Sequence, residues 1–222
     1  MKIRKEIKGV IFDVDGVLLD SLEIWKDLGA RYLLSIGIEP EEKLSDTLFS
    51  MSMEQSADYL RKHYALSLSS QQILYGIQSM LRDFYYYEAA AKPGALQLLM
   101  TLQRKGIPAA VVTASPRELV LRALQRNGLD KYIGCVFTEF EIGKSKHSPD
   151  IYLAAAAFMG TLPAETLVFE DTLYALKTAV DAGFQTVGVW NSCGEPNQKE
   201  LEETADLYIR DYYELHLFSS DS

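Results

Sequence analysis

The sequence has few of the features that mark secreted, membrane or nucleic-acid-binding proteins. Its 222 residues contain only two cysteines, Cys135 and Cys193, which stand far apart and in no metal-ligand spacing. We therefore expect reduced thiols rather than a disulfide scaffold or a zinc site. No apolar run approaches the roughly 18 residues that a membrane-spanning helix needs. The net charge of −9 argues against a surface for nucleic acid or anionic membranes, although it does not bear on a single small pocket for an anion.

The beginning of the chain also lacks the apolar core of a signal peptide, because residues 1–6 are mostly charged. We therefore expect a cytoplasmic protein. What is present is the composition of an ordinary globular protein, with 48% hydrophobic and 24% charged residues. A length of 222 residues fits one α/β domain with an insertion, or two small domains, and suffices for a real core.

Short β-branched runs alternate with amphipathic helical segments along most of the chain. Strands are predicted at 9–13, 108–113, 135–138, 166–170 and 186–190, with a weak sixth at 207–209. Helices are predicted between them at 93–105, 117–127, 150–159 and 172–182. This alternation predicts an α/β fold, with a mostly parallel sheet and helices on both of its faces. In such sheets the ligand site lies beyond the carboxyl ends of the strands.

The pattern changes between residues 19 and 91, where no strand is predicted. Helical segments follow one another at 22–36, 53–64 and 70–87. We interpret residues 19–91 as a helical cap domain inserted into an α/β core made of residues 1–18 and 92–222. A cap that begins just after the first strand is placed to exclude water and to contact the non-reacting part of a substrate.

The first predicted strand ends in two carboxylates, Asp13 and Asp15, followed at once by Gly16. Residues i and i+2 share one face of a strand, and glycine allows a tight turn with amides open to an anion. Two crowded aspartates repel each other unless a cation or a shared proton offsets their charge. The alternative is an Asp-Gly turn that closes a surface strand.

Two further segments place polar side chains near the same sheet edge. Thr113 ends an apolar strand just before a helix start, where its hydroxyl and the following amides could bind phosphate oxygens; the alternative is a simple helix cap. Lys146 precedes a Pro-Asp helix start and could neutralise a phosphoryl group. A solvated surface lysine is the alternative there, and Lys144 is the rival for the role.

Glu170 and Asp171 end another apolar strand. One acid there could cap a helix, but two acids beside Asp13 favour a magnesium site, because Mg²⁺ prefers carboxylate and carbonyl oxygens. The acids at these strand ends outnumber the single lysine, Lys146, so an anionic substrate would be repelled without a divalent cation and a proton on Asp15.

Taken in order, these segments resemble the signature of the haloacid dehalogenase superfamily of aspartate-nucleophile phosphotransferases. The branch they resemble most contains β-phosphoglucomutase-like and phosphoglycolate-phosphatase-like enzymes with a helical cap after the first strand. The resemblance covers nearly the whole chain and rests on Asp13-x-Asp15-Gly16-Val17, Asp20-Ser21, Thr113, Lys146-x-x-Pro149-Asp150, Phe169-Glu170-Asp171 and Ala182-Gly183. It implies a Rossmann-like parallel sheet core with an inserted all-helical cap.

The resemblance also implies a role for each acid of the motifs. Asp13 would be the nucleophile that forms an aspartyl-phosphate, and Asp15 the general acid and base. Mg²⁺ would be held by the carboxylates of Asp13 and Asp171 and by the carbonyl of Asp15, with Glu170 bound directly or through a water.

Further residues would hold the phosphoryl group. Lys146 would neutralise its charge and that of the nucleophile. Its oxygens would be bound by Thr113 and by the backbone amides of Val14, Asp15 and Ala114.

The chain departs from the mutases of this family at two positions. Trp25 stands nearest to where β-phosphoglucomutases carry a histidine, and residues 49–54 lack the glycine and arginine of the cap loop that binds a second phosphate. We therefore expect hydrolysis rather than phosphoryl transfer between two positions of a sugar. Trp25 is a candidate platform for a sugar or other leaving group. Arg117 is the candidate for a distal group of the substrate, with solvation at a helix start as the alternative.

The sequence thus predicts a magnesium-dependent phosphatase for a small phosphorylated metabolite such as a sugar phosphate. We expect no nucleic-acid or membrane partner, and a monomer or weak dimer. The alternatives are a β-phosphoglucomutase-like phosphomutase and a phosphate-binding regulatory protein without turnover, against which the full set of catalytic residue types argues. Glu170 and Asp171 argue against a haloacid dehalogenase, because that reaction would not need these two magnesium-binding acids.

Overall fold

The computed structural model describes residues 6–48 and 51–215. In chain order the strands are β1 Gly9–Phe12, β2 Leu19–Asp20, β3 Ala90–Ala91, β4 Ala109–Thr113, β5 Cys135–Thr138, β6 Thr166–Glu170, β7 Gln185–Val189 and β8 Leu207–Ile209. The helices are α1 Leu22–Ser35, α2 Leu44–Leu48, α3 Met53–His63, α4 Ser70–Asp83, α5 Ala95–Arg104, α6 Arg117–Arg126, α7 Glu139–Ile142, α8 Asp150–Met159, α9 Leu173–Asp181 and α10 Gln198–Thr204.

Contacts within the chain divide it into two compact units. Unit 2 is Ser21–Glu88, and unit 1 comprises the chain up to Asp20 and from Ala89 onward. The boundaries predicted from the sequence, 18/19 and 91/92, lie two or three residues away from these. The difference arises because β2 and β3 pair antiparallel, Leu19 with Ala91 and Asp20 with Ala90, and this ribbon belongs to unit 1.

Within the described residues of unit 1, six strands form one parallel sheet in the order β5-β4-β1-β6-β7-β8. The strands are nearly continuous apolar runs because helices cover both faces of such a sheet; β1, β4, β6 and β7 are buried throughout. The predicted α/β fold class is confirmed. The weak sixth strand predicted at 207–209 is β8.

Side chains of alternate parity pack against opposite faces of the sheet. On one face Ile11, Val112 and Val168 pack with Ile151 and Tyr152 of α8. On the other face the ring of Phe12 stacks on that of Phe169, with centroids 4.7 Å apart. This alternation fixes the face toward which the strand-end residues project, because side chains two residues apart share a face.

Unit 2 contains α1 to α4, and its buried side chains come from the apolar faces of these helices, such as Leu33 of α1 and Leu60 of α3. Helices α3 and α4 both begin with a capping box in which a serine and a glutamine exchange hydrogen bonds with backbone amides. Gly76 lets α4 approach α1 closely, because a Cβ there would lie 2.4 Å from the Tyr32 ring.

Some elements differ from the prediction. The helix predicted at 70–87 is α4 followed by a π-helical turn, Phe84–Glu88, and neither the β2–β3 ribbon nor α10 was predicted. Cys135 and Cys193 do not form a disulfide. Within residues 6–48 and 51–215, no helix is long and apolar enough to cross a membrane.

Candidate active site

Asp13 follows β1 directly, at the point where the strand order of the sheet reverses. From β1 the chain reaches β4 and β5 on one side and β6, β7 and β8 on the other. In open α/β sheets the crevice at such a switch point is the usual ligand site. The backbone N–H of Asp13 donates to the carbonyl of Phe169 at 3.0 Å, which holds the two strand ends side by side. Asp13 as a whole residue is 7% exposed.

Lys146 joins the two strand ends through a buried ion pair on each side. Its Nζ lies 2.5 Å from Oδ1 of Asp13 and 2.7 Å from Oε1 of Glu170, and the residue is 3% exposed. Its backbone N–H donates to Oε1 of Glu139 at 2.6 Å, and this hydrogen bond anchors the loop between α7 and α8. Lys144, the rival at the sequence level, instead pairs with Asp150 at the surface.

Asp13, Glu170 and Asp171 form a buried cluster of carboxylates. One oxygen from each lies within 4.8 Å of the others, a spacing that could hold a metal ion. Oε1 of Glu170 accepts from the Tyr152 hydroxyl at 2.8 Å, whereas Oε2 of Glu170 is buried with no hydrogen-bond partner among the described residues. A buried carboxylate oxygen without a partner is costly. The donor set and this orphaned oxygen fit a hard divalent cation.

Burial and mutual repulsion raise the proton affinity of the cluster. Burial raises the pKa of Asp13 to about 7 despite the nearby ammonium of Lys146, and Glu170 and Asp15 add repulsion. Burial, with Asp13 and Glu170, raises the pKa of Asp171 well above its ordinary value. Burial lowers the pKa of Lys146, but Asp13 and Glu170 outweigh it and leave this pKa raised, so the lysine is cationic. The cluster therefore carries more acid than Lys146 can neutralise, and a cation would displace protons from it.

Asp15 is hydrogen-bonded to a residue that follows β4. The Ser115 hydroxyl donates to Oδ2 of Asp15 at 2.6 Å, and the Ser115 N–H donates to Oγ1 of Thr113 at 3.0 Å. Asp15 is half-buried, while Thr113 and Ser115 are buried. Asp15 and Thr113 are thus brought to the same sheet edge as Asp13. The Asp15 carboxyl is not one of the three clustered carboxylates, and its part in proton transfer stays a prediction.

Val14 and Ala114 follow the ends of the neighbouring strands β1 and β4. Val14 is buried, and its carbonyl accepts from the N–H groups of Leu18 and Leu19 at 2.9 Å each, which fixes the turn after β1. Ala114 is exposed beside Thr113. Their predicted part in binding phosphate oxygens through backbone amides stays a prediction.

The remaining predicted substrate residues are held by neighbours within their own units. Arg117, at the start of α6, donates to the Val136 carbonyl at 2.7 Å and pairs with Glu141 at 2.9 Å. Trp25 belongs to unit 2; its Nε1 donates to the Tyr85 hydroxyl at 3.2 Å, and the residue is 39% exposed. Contact of either residue with a substrate stays a prediction.

Sequence reasoning gave no role to Ser115, Tyr152, Lys92 or Asn191. The Lys92 Nζ donates to the Gly16 carbonyl at 2.9 Å and to Oδ1 of Asn191 at 2.5 Å. The Asn191 Nδ2 donates to the same carbonyl at 2.9 Å and to Oδ2 of Asp171 at 3.1 Å. Asn191 comes two residues after β7, so the rule that polar residues at strand ends converge could have found it; Lys92 carries no such signal.

Comparison with known proteins gives a consistent picture. A family model described as haloacid dehalogenase-like hydrolase matches residues 10–189. The chain is 30% identical over 207 residues to a phosphoglycolate phosphatase of Shigella boydii, covering 83% of this chain and 82% of that one. It is 28% identical over 201 residues to hexitol phosphatase A of Escherichia coli, covering 88% of each.

A solved structure with the same fold is named "putative beta-phosphoglucomutase" and comes from Thermotoga maritima. It superposes with a TM-score of 0.85 and covers 97% of this chain and 100% of its own. At 23% sequence identity this likeness shows the fold alone.

Proposed function

The chain belongs to the family of haloacid dehalogenase-like hydrolases, and from that premise we propose a magnesium-dependent phosphatase that hydrolyses a small phosphorylated metabolite through an aspartyl-phosphate on Asp13. Family membership confirms the predicted resemblance, and with the phosphatases among its relatives it confirms the predicted enzyme class, a phosphoric monoester hydrolase. The metal, the intermediate and the substrate are the parts that we propose.

The buried arrangement of Asp13, Lys146, Glu170 and Asp171 is the observation that carries this proposal. Burying these charges costs free energy that a neutral core would not. A nucleophile needs an ionised carboxylate, and Lys146 supplies the positive charge that favours that form. A protein that only bound phosphate would not need a carboxylate there, because it would repel the ligand.

The first chemical step is an in-line displacement at phosphorus. Oδ2 of Asp13 forms a bond to phosphorus while the bond to the leaving oxygen breaks, and Asp15 gives its proton to that oxygen. In the second step Asp15 takes a proton from a water that attacks the aspartyl-phosphate. Inorganic phosphate then leaves and the Asp13 carboxylate is restored. The hydrogen bond from Ser115 keeps Asp15 in place for both transfers.

The groups around Asp13 neutralise and bind the phosphoryl group. Lys146 neutralises negative charge beside the nucleophile, and the Thr113 hydroxyl with the neighbouring amides of Val14 and Ala114 binds phosphoryl oxygens. Asp13, Glu170 and Asp171, with the carbonyl of Asp15, would hold Mg²⁺, which would supply the charge that offsets repulsion between the substrate and the acids.

The substrate class follows from the relatives. Hexitol phosphatase A and phosphoglycolate phosphatase are named for small phosphorylated substrates, which supports a metabolite of that size, such as a sugar phosphate, for this chain. We propose Trp25 as a contact for its organic part and Arg117 for a distal group. We further propose that the enzyme acts in the cytoplasm as a monomer or weak dimer.

The test is phosphate release from a panel of sugar and other small-metabolite phosphates, with Mg²⁺ or with EDTA. Wild type should release phosphate only with Mg²⁺, and Asp13→Asn should lower the rate by about 10⁶-fold, as loss of a covalent nucleophile does elsewhere. Asp181→Asn is the matched control, because Asp181 is an exposed residue at the end of α9. Equal rates in wild type and Asp13→Asn would overturn the proposal.

Two other outcomes would favour the alternatives. Isomerisation of a sugar phosphate that requires a bisphosphate activator and releases no net phosphate would identify a phosphomutase. Phosphate binding without turnover of any substrate would identify a regulatory protein.

A further inference from the structure

A polar network connects Asp171 with the turn that follows β1. It consists of Lys92, Asn191 and the carbonyl of Gly16. Asn191 is 8% exposed, and its Nδ2 spans from Oδ2 of Asp171 at 3.1 Å to the Gly16 carbonyl at 2.9 Å. One amide group thereby joins the turn that carries Asp15 to the carboxylate that follows β6.

Lys92 fixes the orientation of that amide. An ammonium can only donate hydrogen bonds, so the atom of Asn191 that faces Lys92 at 2.5 Å must be the oxygen, Oδ1. The Asn191 amide nitrogen then faces Asp171 and Gly16. Lys92 donates in addition to the carbonyls of Gly16 at 2.9 Å and Trp190 at 3.2 Å. Its position is therefore fixed by three acceptors.

The turn at Gly16 has a backbone conformation that only glycine adopts without strain, with a φ of +77°. Within the turn, the Gly16 N–H donates to the Leu19 carbonyl at 2.8 Å. The two hydrogen bonds that the Gly16 carbonyl receives from Lys92 and Asn191 add a connection from this turn to residues outside it.

We propose that Asn191 and Lys92 are positioning residues for the divalent cation: Asn191 orients Asp171 and the Asp15–Gly16 turn, and Lys92 sets the orientation of Asn191. This inference rests on the proposed function, since it concerns the cation held by Asp13, Glu170 and Asp171. Groups that hydrogen-bond to a ligating carboxylate orient it, and their loss lowers metal affinity by about 10- to 100-fold in other proteins.

The experiment measures metal binding directly. Mn²⁺ is titrated into the metal-free protein and the free ion is followed by its EPR signal, with Mg²⁺ measured by competition. Asn191→Ala should raise the dissociation constant of both ions by about 10- to 100-fold. Lys92→Met should raise it less, and Lys92→Arg should restore most of the affinity because the donors remain. At saturating Mg²⁺, kcat should return toward the wild-type value while the half-saturating Mg²⁺ concentration stays raised.

Asn197→Ala is the matched control, because Asn197 caps α10 in the same loop without touching this network. Near-UV circular dichroism of each metal-free variant reports whether its fold is intact, and Asn191→Ser provides a smaller change should Asn191→Ala not fold. Folded Asn191 and Lys92 variants that bind Mn²⁺ as tightly as wild type would overturn this inference alone. Absence of Mn²⁺ and Mg²⁺ binding by wild type would overturn the metal part of the proposed function, and this inference with it.

Discussion

The two units of the chain differ in the burial of their ion pairs. In unit 1, Asp13, Lys146 and Glu170 pair with each other in the interior, where their side chains are at most 9% exposed. In unit 2, pairs such as Asp58 with Lys62 lie at the surface, where the side chains are 46% and 66% exposed. Solvent screens surface ion pairs, so they contribute little to the free energy of folding. Burying an ion pair costs desolvation energy, and removing one partner of a buried pair strongly destabilises the protein because the other charge is left unpaired. The buried pairs of unit 1 therefore carry a desolvation cost that the exposed pair of unit 2 does not carry.

Removing one lysine from each unit gives the largest predicted contrast. Lys146→Met leaves the carboxylates of Asp13 and Glu170 buried without their cation, so we expect a loss of about 3–5 kcal/mol in the free energy of unfolding. Lys62→Met removes the exposed partner of Asp58 and should cause no measurable change. Urea unfolding at pH 8 in EDTA measures both. Equal losses in the two variants would mean that burial does not distinguish these pairs.

Removing one tyrosine hydroxyl from each unit should give a smaller contrast. The Tyr152 hydroxyl donates to the buried Glu170 at 2.8 Å, and the exposed Tyr64 hydroxyl accepts from the backbone N–H of Glu41 at 2.9 Å. Tyr152→Phe should cost about 1.5–3 kcal/mol, the range for a hydrogen bond to a charged group, and Tyr64→Phe about 1 kcal/mol. Unfolding in EDTA measures the stability of each variant, and Mn²⁺ titration measures its metal affinity. A Tyr152→Phe variant with unchanged stability and metal affinity would show that this hydrogen bond does not hold Glu170.

The change in the free energy of unfolding per pH unit should be the smallest of these effects. Asp13 has a folded-state pKa of about 7, raised from 3.8 mainly by burial, so the folded protein binds more protons than the unfolded chain between these values. Stability without metal should therefore fall as pH rises from 5 to 7, with a slope of at most about 1.4 kcal/mol per pH unit from this group. Asp171, whose pKa is also raised by burial, acts in the same direction.

Asp13→Asn is the control for the pH experiment, because its amide does not titrate. The slope of stability against pH in EDTA should be reduced in this variant. In unit 2, the pKa values of Glu54 and Asp58 are lowered by side-chain hydrogen bonds from Ser52 and Ser70; these groups lose stabilisation only at more acidic pH, outside this window. An unchanged slope in Asp13→Asn would contradict the raised pKa of Asp13.

The sheet and its catalytic edge could be predicted because each signal is local. An apolar run followed by acids marks a buried strand and its carboxyl end, and parallel strands bring such ends together. Thus Asp13 and Glu170, 157 positions apart in the sequence, could be placed side by side, and the structure joins both to Lys146. Helix periodicity similarly located α1, α3 and α4 of the inserted unit, whereas the short helix α2 was not predicted.

The supporting residues could not be predicted because their partners are distant and their own surroundings are ordinary. Lys92 lies next to a proline before a helix and looks like a solvated lysine, yet it binds Asn191, 99 positions away. Tyr152 looks like an apolar helix residue, and only the packing of α8 on the sheet brings its hydroxyl to Glu170. The pairing of Arg117 with Glu141 also depends on where α7, which follows β5, lies relative to α6.

Chemical trapping of the phosphorylated enzyme shows whether Asp13 is the nucleophile. A substrate of the panel carrying ³²P is mixed with Mg²⁺-loaded wild type, quenched in acid within the first turnover, digested and analysed by mass spectrometry. If Asp13 attacks phosphorus, a hydroxylamine-labile acyl phosphate is found on the peptide that contains Asp13, and no labelled peptide is found with Asp13→Asn. Rapid phosphate release with no labelled protein, or with label on a peptide that lacks Asp13, would show that Asp13 is not the nucleophile.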